Sequence, residues 1–140
     1  MTALPTSARP VIESGHLGHV VTMNPDGSPQ VTCVWVGLDG DEIVFGSMSD
    51  RQKLRNLRRD PLVWLSIATD IRNAIGLEEY LVVHGTARVT VGGGAELLQR
   101  LAHTYLGPGV KFPPMRHSSP GFVVRITVER VGGVGPWAPE

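Results

Sequence analysis

The sequence predicts a mainly β protein: an antiparallel barrel of six strands with two or three short helices. Three observations carry this. Two dense turn signals, residues 24–29 with Pro25 and Asp26-Gly27, and residues 39–41 with Asp39-Gly40, separate apolar runs and argue consecutive hairpins. Further short apolar runs follow, each bounded by polar or glycine-rich residues, as in a barrel. Gly85 sits in the middle of the longest run, where a bulge or bend lets a sheet close on itself.

Taken in order, residues 1–14 read as a flexible N-terminal segment or a short helix near 10–14 that Gly15 ends. Residues 16–23 form a first strand, 30–38 a second and 42–47 a third. Residues 47–61 contain a short basic helix: Ser49 or Asp50 can cap it, Leu54 and Leu57 give it one apolar edge, and Pro61 stops it. A fourth strand spans 62–68, a polar loop 70–78, and a fifth strand 80–91. Gly92-Gly93-Gly94 leads into a helix with Leu97, Leu98, Leu101 and Leu106 on one side. An irregular loop, 107–120, precedes the last strand, 122–131, and a tail, 131–140, carries Trp137. The second and fourth strands are apolar on both faces. One face can line the barrel, and the other needs a cover that helices and a second subunit can supply, so a homodimer is expected.

Composition bounds the function. A chain of 140 residues is one domain, 1–140, able to bury a sizeable core. Lys plus Arg equal Asp plus Glu, 13 each, so overall charge gives no reason to expect nucleic acid as a partner. No apolar run approaches the roughly 20 residues a membrane span needs. One cysteine, Cys33, rules out an internal disulfide. No signal-peptide pattern opens the chain, and the expected location is cytoplasmic.

The chemistry concentrates in the basic helix. Arg51 and Lys53 fall in its first turn, where free backbone N–H groups already make the end positive. Cations there cost stability unless an anion joins them, and a helix N-terminus with an Arg and a Lys is a phosphate site. A solvated basic face is the plainer alternative. No catalytic triad and no metal set is expected. His16 and His19, three apart on a strand, point to opposite faces. Cys33 has no His or basic neighbour in sequence and reads as a buried, small apolar residue. The three glycines at 92–94 lack dinucleotide-loop spacing and read as helix entry. Trp35 and Trp64 are expected in the core or an interface, and Tyr80 in plain packing. Lys111, Arg116 and His117 either border a site or belong to a solvated loop.

The order of elements resembles a known family. Strand, Asp-Gly-Ser-Pro turn, strand, Asp-Gly turn and a strand ending Phe45-Gly46-Ser47 precede Arg51-x-Lys53-x-x-Asn56-Leu57-x-x-Asp60-Pro61. This resembles the pyridoxamine 5′-phosphate oxidase-like split β-barrel superfamily, FMN-binding split barrel type. Within it the chain looks most like the small deazaflavin-dependent reductases that use coenzyme F420, the B group of flavin/deazaflavin oxidoreductases. The resemblance covers residues 15–91 well and the rest in outline. It implies a homodimer with cofactor sites at the subunit interface. It implies that Arg51 and Lys53 hold the cofactor phosphate with Asn56 beside them. Gln30, Thr32 and Cys33 would line the tricyclic ring, and Phe45, Gly46 and Ser47 would pass along ring and linker. Cys33 departs from relatives that carry a polar side chain there.

The function expected on that basis is an F420H2-dependent oxidoreductase that passes a hydride to an unsaturated small molecule, with the cofactor carrying the hard chemistry. The rival readings are an FMN-binding pyridoxamine 5′-phosphate oxidase-like enzyme and a flavin- or haem-binding protein without turnover.

Overall fold

The computed structural model describes residues 4–114 and 119–138. After a 3-10 turn, Thr6–Ala8, the elements run α1 (Arg9–Ile12), β1 (Gly18–Met23), β2 (Pro29–Val34), β3 (Gly37–Asp39) and β4 (Glu42–Ser47). Then come α2 (Gln52–Arg59), β5 (Leu62–Arg72), β6 (Glu78–Val91), α3 (Gly94–Tyr105) and β7 (Phe122–Val134). The strands form one antiparallel sheet of seven in the order β2-β1-β5-β6-β7-β4-β3. The fold is the split β-barrel.

The seventh strand corrects the expectation of six. The apolar run 30–38 is bent at Trp35 and Val36, and its halves lie on opposite edges of the sheet as β2 and β3. One stretch of chain therefore brings the two edges together. A bend costs backbone hydrogen bonds, and Tyr105 repays one: its hydroxyl accepts from the Val36 N–H at 3.0 Å and donates to the His16 carbonyl at 2.7 Å.

Local chemistry explains the turns. Between β1 and β2, Asn24 N–H donates to the Ser28 carbonyl at 2.8 Å, and Asp26 Oδ1 accepts from the Ser28 N–H at 2.9 Å. The expected polar loop 70–78 is shorter than expected, because β5 continues to Arg72 and β6 begins at Glu78. Asn73 builds that turn by accepting from Ile75 and Leu77 N–H groups. The last strand likewise runs on to Val134, so the start of the expected tail is strand. The predicted bulge at Gly85 is present: His84 pairs with Arg130 but Gly85 with Val128, leaving Glu129 as the extra residue. A β-carbon on Gly85 would stand 2.3 Å from the Thr127 carbonyl oxygen, which explains the glycine.

The barrel interior is filled by alternate residues: Val20, Val34, Ile43, Phe45, Val63, Leu65, Ile67, Leu81, Val83, Val124 and Ile126. Helix α2 closes one end with Leu54 at 0% and Leu57 at 2% exposure, each worth about 1.5–3 kcal/mol of burial. Helix α3 covers the outside of β4 and β7 through Leu97 and Leu101 against Val44 and Val123. Leu106 does not share that face; it follows the helix end and is 52% exposed. The glycines at 92–94 make the helix entry: Gly92 N–H donates to Gly121 O and Gly94 N–H to Pro120 O. Those donors are spent on backbone.

Candidate functional site

Helix α2 places the cations. Arg51 is its N-cap residue, extended at φ −84° and ψ 167°, and no side chain caps the helix. Neither expected cap forms. The Asp50 carboxylate turns instead to Arg58 at 2.8 Å, and its carbonyl accepts from Arg55. The end is left open, with Arg51 beside it and Lys53 in its first turn. Burial and then the Arg51 charge push the Lys53 ammonium below the ordinary lysine pKa. A partly buried cation next to another cation at a positive helix end is matched by an anion.

From this point two grooves open, sharing Ser49, Arg51, Lys53 and Cys33, which is exposed and not buried as expected because strand alternation turns it to the outer face of β2. The polar one is lined further by Gln30, Thr32, Asp50, Gln52 and Arg55. The Thr32 hydroxyl there is buried without a hydrogen-bond partner. Its neighbour is an apolar groove of about 580 Å³, within the size range of small-molecule sites. Gly46, Ser47 and Met48 line it together with Leu17, Val34 and Trp35 and with Leu98, Phe112, Pro113 and Pro114.

The structure thus gathers Gln30, Thr32, Cys33, Gly46, Ser47, Arg51 and Lys53 around one continuous depression. Phe45 and Asn56 stand apart from it. Strand alternation turns Phe45 into the barrel, where it is fully buried, while Gly46 on the other face meets α3. Asn56 is also fully buried: it donates to Thr22 Oγ1 and Asn24 Oδ1 at 3.0 Å and accepts from Gln52 Nε2 at 2.8 Å. Its amide ties α2 to the β1–β2 hairpin and so holds Arg51 and Lys53 in place. Ser47 donates to the Ser49 carbonyl at 2.6 Å, so its hydroxyl proton is committed.

Trp35, Met48 and Leu98 line the groove without having been singled out for a site in the sequence, and of the two loops expected to shape a substrate pocket, 70–79 and 107–120, only the second contributes, through residues 112–114. Trp35 stacks on Tyr105, with ring centroids 5.5 Å apart and 15° between planes, and Phe112 tilts against it at 5.0 Å. Burial raises the Tyr105 phenol pKa, partly offset by its backbone hydrogen bond, so the phenol stays protonated. Lys111 is exposed, and Arg116 and His117 lie outside the described residues.

One surface arrangement mimics a catalytic triad and is not one. His16 bridges Ser14 Oγ at 2.7 Å and Asp70 Oδ2 at 3.0 Å, but Ser14 donates its proton to the Val11 carbonyl at 2.6 Å. None of the three lines a groove described above. Among the described residues, no group of three His, Cys, Asp or Glu is placed to hold a metal, and no helix is long and apolar enough to cross a membrane.

A split barrel with a cationic helix end opening on an apolar groove defines a class, the flavin- and deazaflavin-binding barrels. The chain belongs to the pyridoxamine 5′-phosphate oxidase family, whose sequence model matches residues 4–135. It is similar to a solved F420 reductase at 25% identity and TM-score 0.74, over 92% of this chain and 98% of that one. A conserved hypothetical protein from Mycobacterium tuberculosis is also 25% identical, with TM-score 0.71, over 88% and 79% of the two chains. A haem-binding protein from Mycobacterium smegmatis is 27% identical at TM-score 0.64; 91% of this chain aligns with 52% of that one. No curated protein matches.

Proposed function

We propose that this protein is an F420-dependent reductase, an oxidoreductase acting on an unsaturated small molecule, and that it works as a cytoplasmic homodimer. The observation that carries the reading is Lys53, half-buried beside Arg51 at an uncapped helix end that opens on an apolar groove. The similarity to an F420 reductase over nearly the full length of both chains supports it.

When bound, reduced deazaflavin supplies a hydride. The chain's own residues bind and orient. Arg51 and Lys53 would take the cofactor phosphate, and the helix end supplies N–H donors. The buried Thr32 hydroxyl, which lacks a partner, is a donor suited to a heteroatom at the edge of a polar ring system, with Gln30 next to it. Gly46 lets Leu98 of α3 pack directly on the strand, which brings that side chain to the groove. Cys33, at the junction of the two grooves, offers a small, weakly polar surface there. The apolar walls exclude water, which favours hydride transfer over loss to solvent. No acid or base of the protein is assigned a step.

The homodimer belongs to this reading because one sheet face is only partly covered by the described residues. On the outside of β2-β1-β5, Val31 is 61% and Leu62 38% exposed, with Val21 and Trp64 paired between them. The second reading, FMN in the same site, is favoured by the family match itself. Titration separates them: the purified protein should bind F420 more tightly than FMN and should oxidise reduced F420 when given an acceptor. FMN binding tighter by a wide margin, or a protein that instead takes up haem, overturns the proposal.

A further inference from the structure

We propose that Trp35 and Phe112 form the acceptor-binding wall of the groove, that Gln99 is the residue positioning it, and that the acceptor is a flat, uncharged conjugated molecule. The inference rests on the reading above in one respect: it assigns the Arg51–Lys53 end to the cofactor and the opposite end to the second reactant.

The two ends differ in chemistry. Around Arg51 and Lys53 the lining is polar and cationic. Leu17, Trp35, Leu98, Phe112 and Pro113, which line the apolar groove and not the polar one, present carbon surface. A charged group placed among them would lose its hydration and meet no partner, so this end selects against charge. Aromatic side walls favour a ligand with a π face, which stacks offset on one ring or meets another edge-on.

The wall is built in advance. Tyr105 lies behind Trp35 and is not itself among the lining residues. Its hydroxyl is fixed at both ends, to His16 O and to Val36 N–H, so the ring that backs Trp35 cannot slide and offers no proton to the groove. Phe112 comes from a segment without regular structure, where a side chain is ordinarily free to move. Here the Gln99 amide clasps it: Gln99 Nε2 donates to Val110 O at 2.8 Å, and Gln99 Oε1 accepts from Phe112 N–H at 2.9 Å. The remaining N–H of the amide points to His103 Nε2 at 3.1 Å. Gln99 therefore sets where Phe112 stands against Trp35 without touching the ligand. A wall held in its binding geometry saves the ordering cost on association.

The test uses the full-length protein and three measurements: calorimetric binding of 2-naphthol and of naphthalene-2-sulfonate, both in inorganic phosphate at a concentration that fills the Arg51–Lys53 end, titration with F420, and thermal melting. The wild type should bind the uncharged ring at least about tenfold more tightly than the sulfonate. Phe112→Ala and Gln99→Met should each weaken 2-naphthol binding by about tenfold while F420 affinity and melting temperature hold. In turnover the same variants should raise the acceptor KM and leave kcat near wild type. Equal or tighter binding of the sulfonate overturns the proposal, as does unchanged 2-naphthol binding in Gln99→Met. Loss of F420 and ring binding together in Gln99→Met also overturns it, because the clasp is then general scaffold. If Gln99→Met does not fold, Phe112→Ala, confined to a loop, decides alone. Intact ring selectivity in a protein that ignores F420 would sink the reductase reading and leave the wall standing.

Discussion

Lys53 pays in stability for what it gains in binding. Its folded pKa lies below the ordinary range because burial and the Arg51 charge disfavour the ammonium. Between that lowered value and lysine's ordinary range the unfolded chain holds a proton that the folded chain has shed. Stability of the empty protein should therefore rise as pH climbs through that window. Lys53→Met should flatten the rise and leave the neutral-pH melting temperature of the empty protein equal or higher. The same substitution should weaken F420 binding by roughly 10- to 150-fold, since a hydrogen bond to a charged group contributes about 1.5–3 kcal/mol. A lower melting temperature with intact affinity would make Lys53 scaffold. Asn56 shows the converse case. It belongs to the sequence motif of the site, yet its amide bonds Thr22, Asn24 and Gln52 beneath the surface, with longer contacts to Gln30 and Arg59. The spacing Arg51-x-Lys53-x-x-Asn56 follows from a helix whose outer turn carries charge while its inner face anchors the hairpin.

At the scale of elements, the bends matter more than the strands. β6 and β7 pair along most of their length and shift register at Gly85, opposite the extra residue Glu129. A β-carbon at Gly85 would overlap the Thr127 carbonyl, an atom of backbone that cannot rotate away. Gly85→Ala should lose about 1–3 kcal/mol or more of stability, read as a lower denaturant midpoint. An unchanged midpoint would mean that the strand pair slides freely, against the register described. The second bend, at Trp35 and Val36, serves the site as well as the barrel. By turning the chain from one sheet edge to the other it delivers Trp35 to the groove and leaves a backbone N–H for Tyr105.

For the whole molecule, the open question of cover falls on the outer face of β2, β1, β5 and β6. Cross-strand neighbours Val31, Val21, Trp64 and His84 make one row there, from Val31 at the edge to the ring contact of Trp64 with His84. The homodimer proposed above buries this row. Sedimentation at micromolar concentration should give about twice the 15.1 kDa chain mass, and Val31→Asp should shift the protein toward monomer with loss of cofactor affinity. A monomeric wild type that binds F420 at full strength would sink the dimer and any site completed by a second subunit.

By itself the sequence determined the elements that short-range chemistry controls. Asp-Gly turns, the short apolar run of β4, the bulge glycine and the cation pair at a helix start all act within a few residues, so they were legible in the chain. A barrel followed from their order, and the split barrel from the family resemblance that those elements carry. Only the tertiary structure decided that residues 30–38 serve two edges. It also decided that Phe45 faces the barrel while Gly46 packs against α3, and that Trp35 and Phe112 line one groove. These depend on partners far apart in sequence: the Val36–Tyr105 hydrogen bond joins residues 69 positions apart. Apolar side chains such as Trp35 carry no mark of whether they will meet the core or a ligand. Burial is non-directional, and the closing of the barrel assigns it.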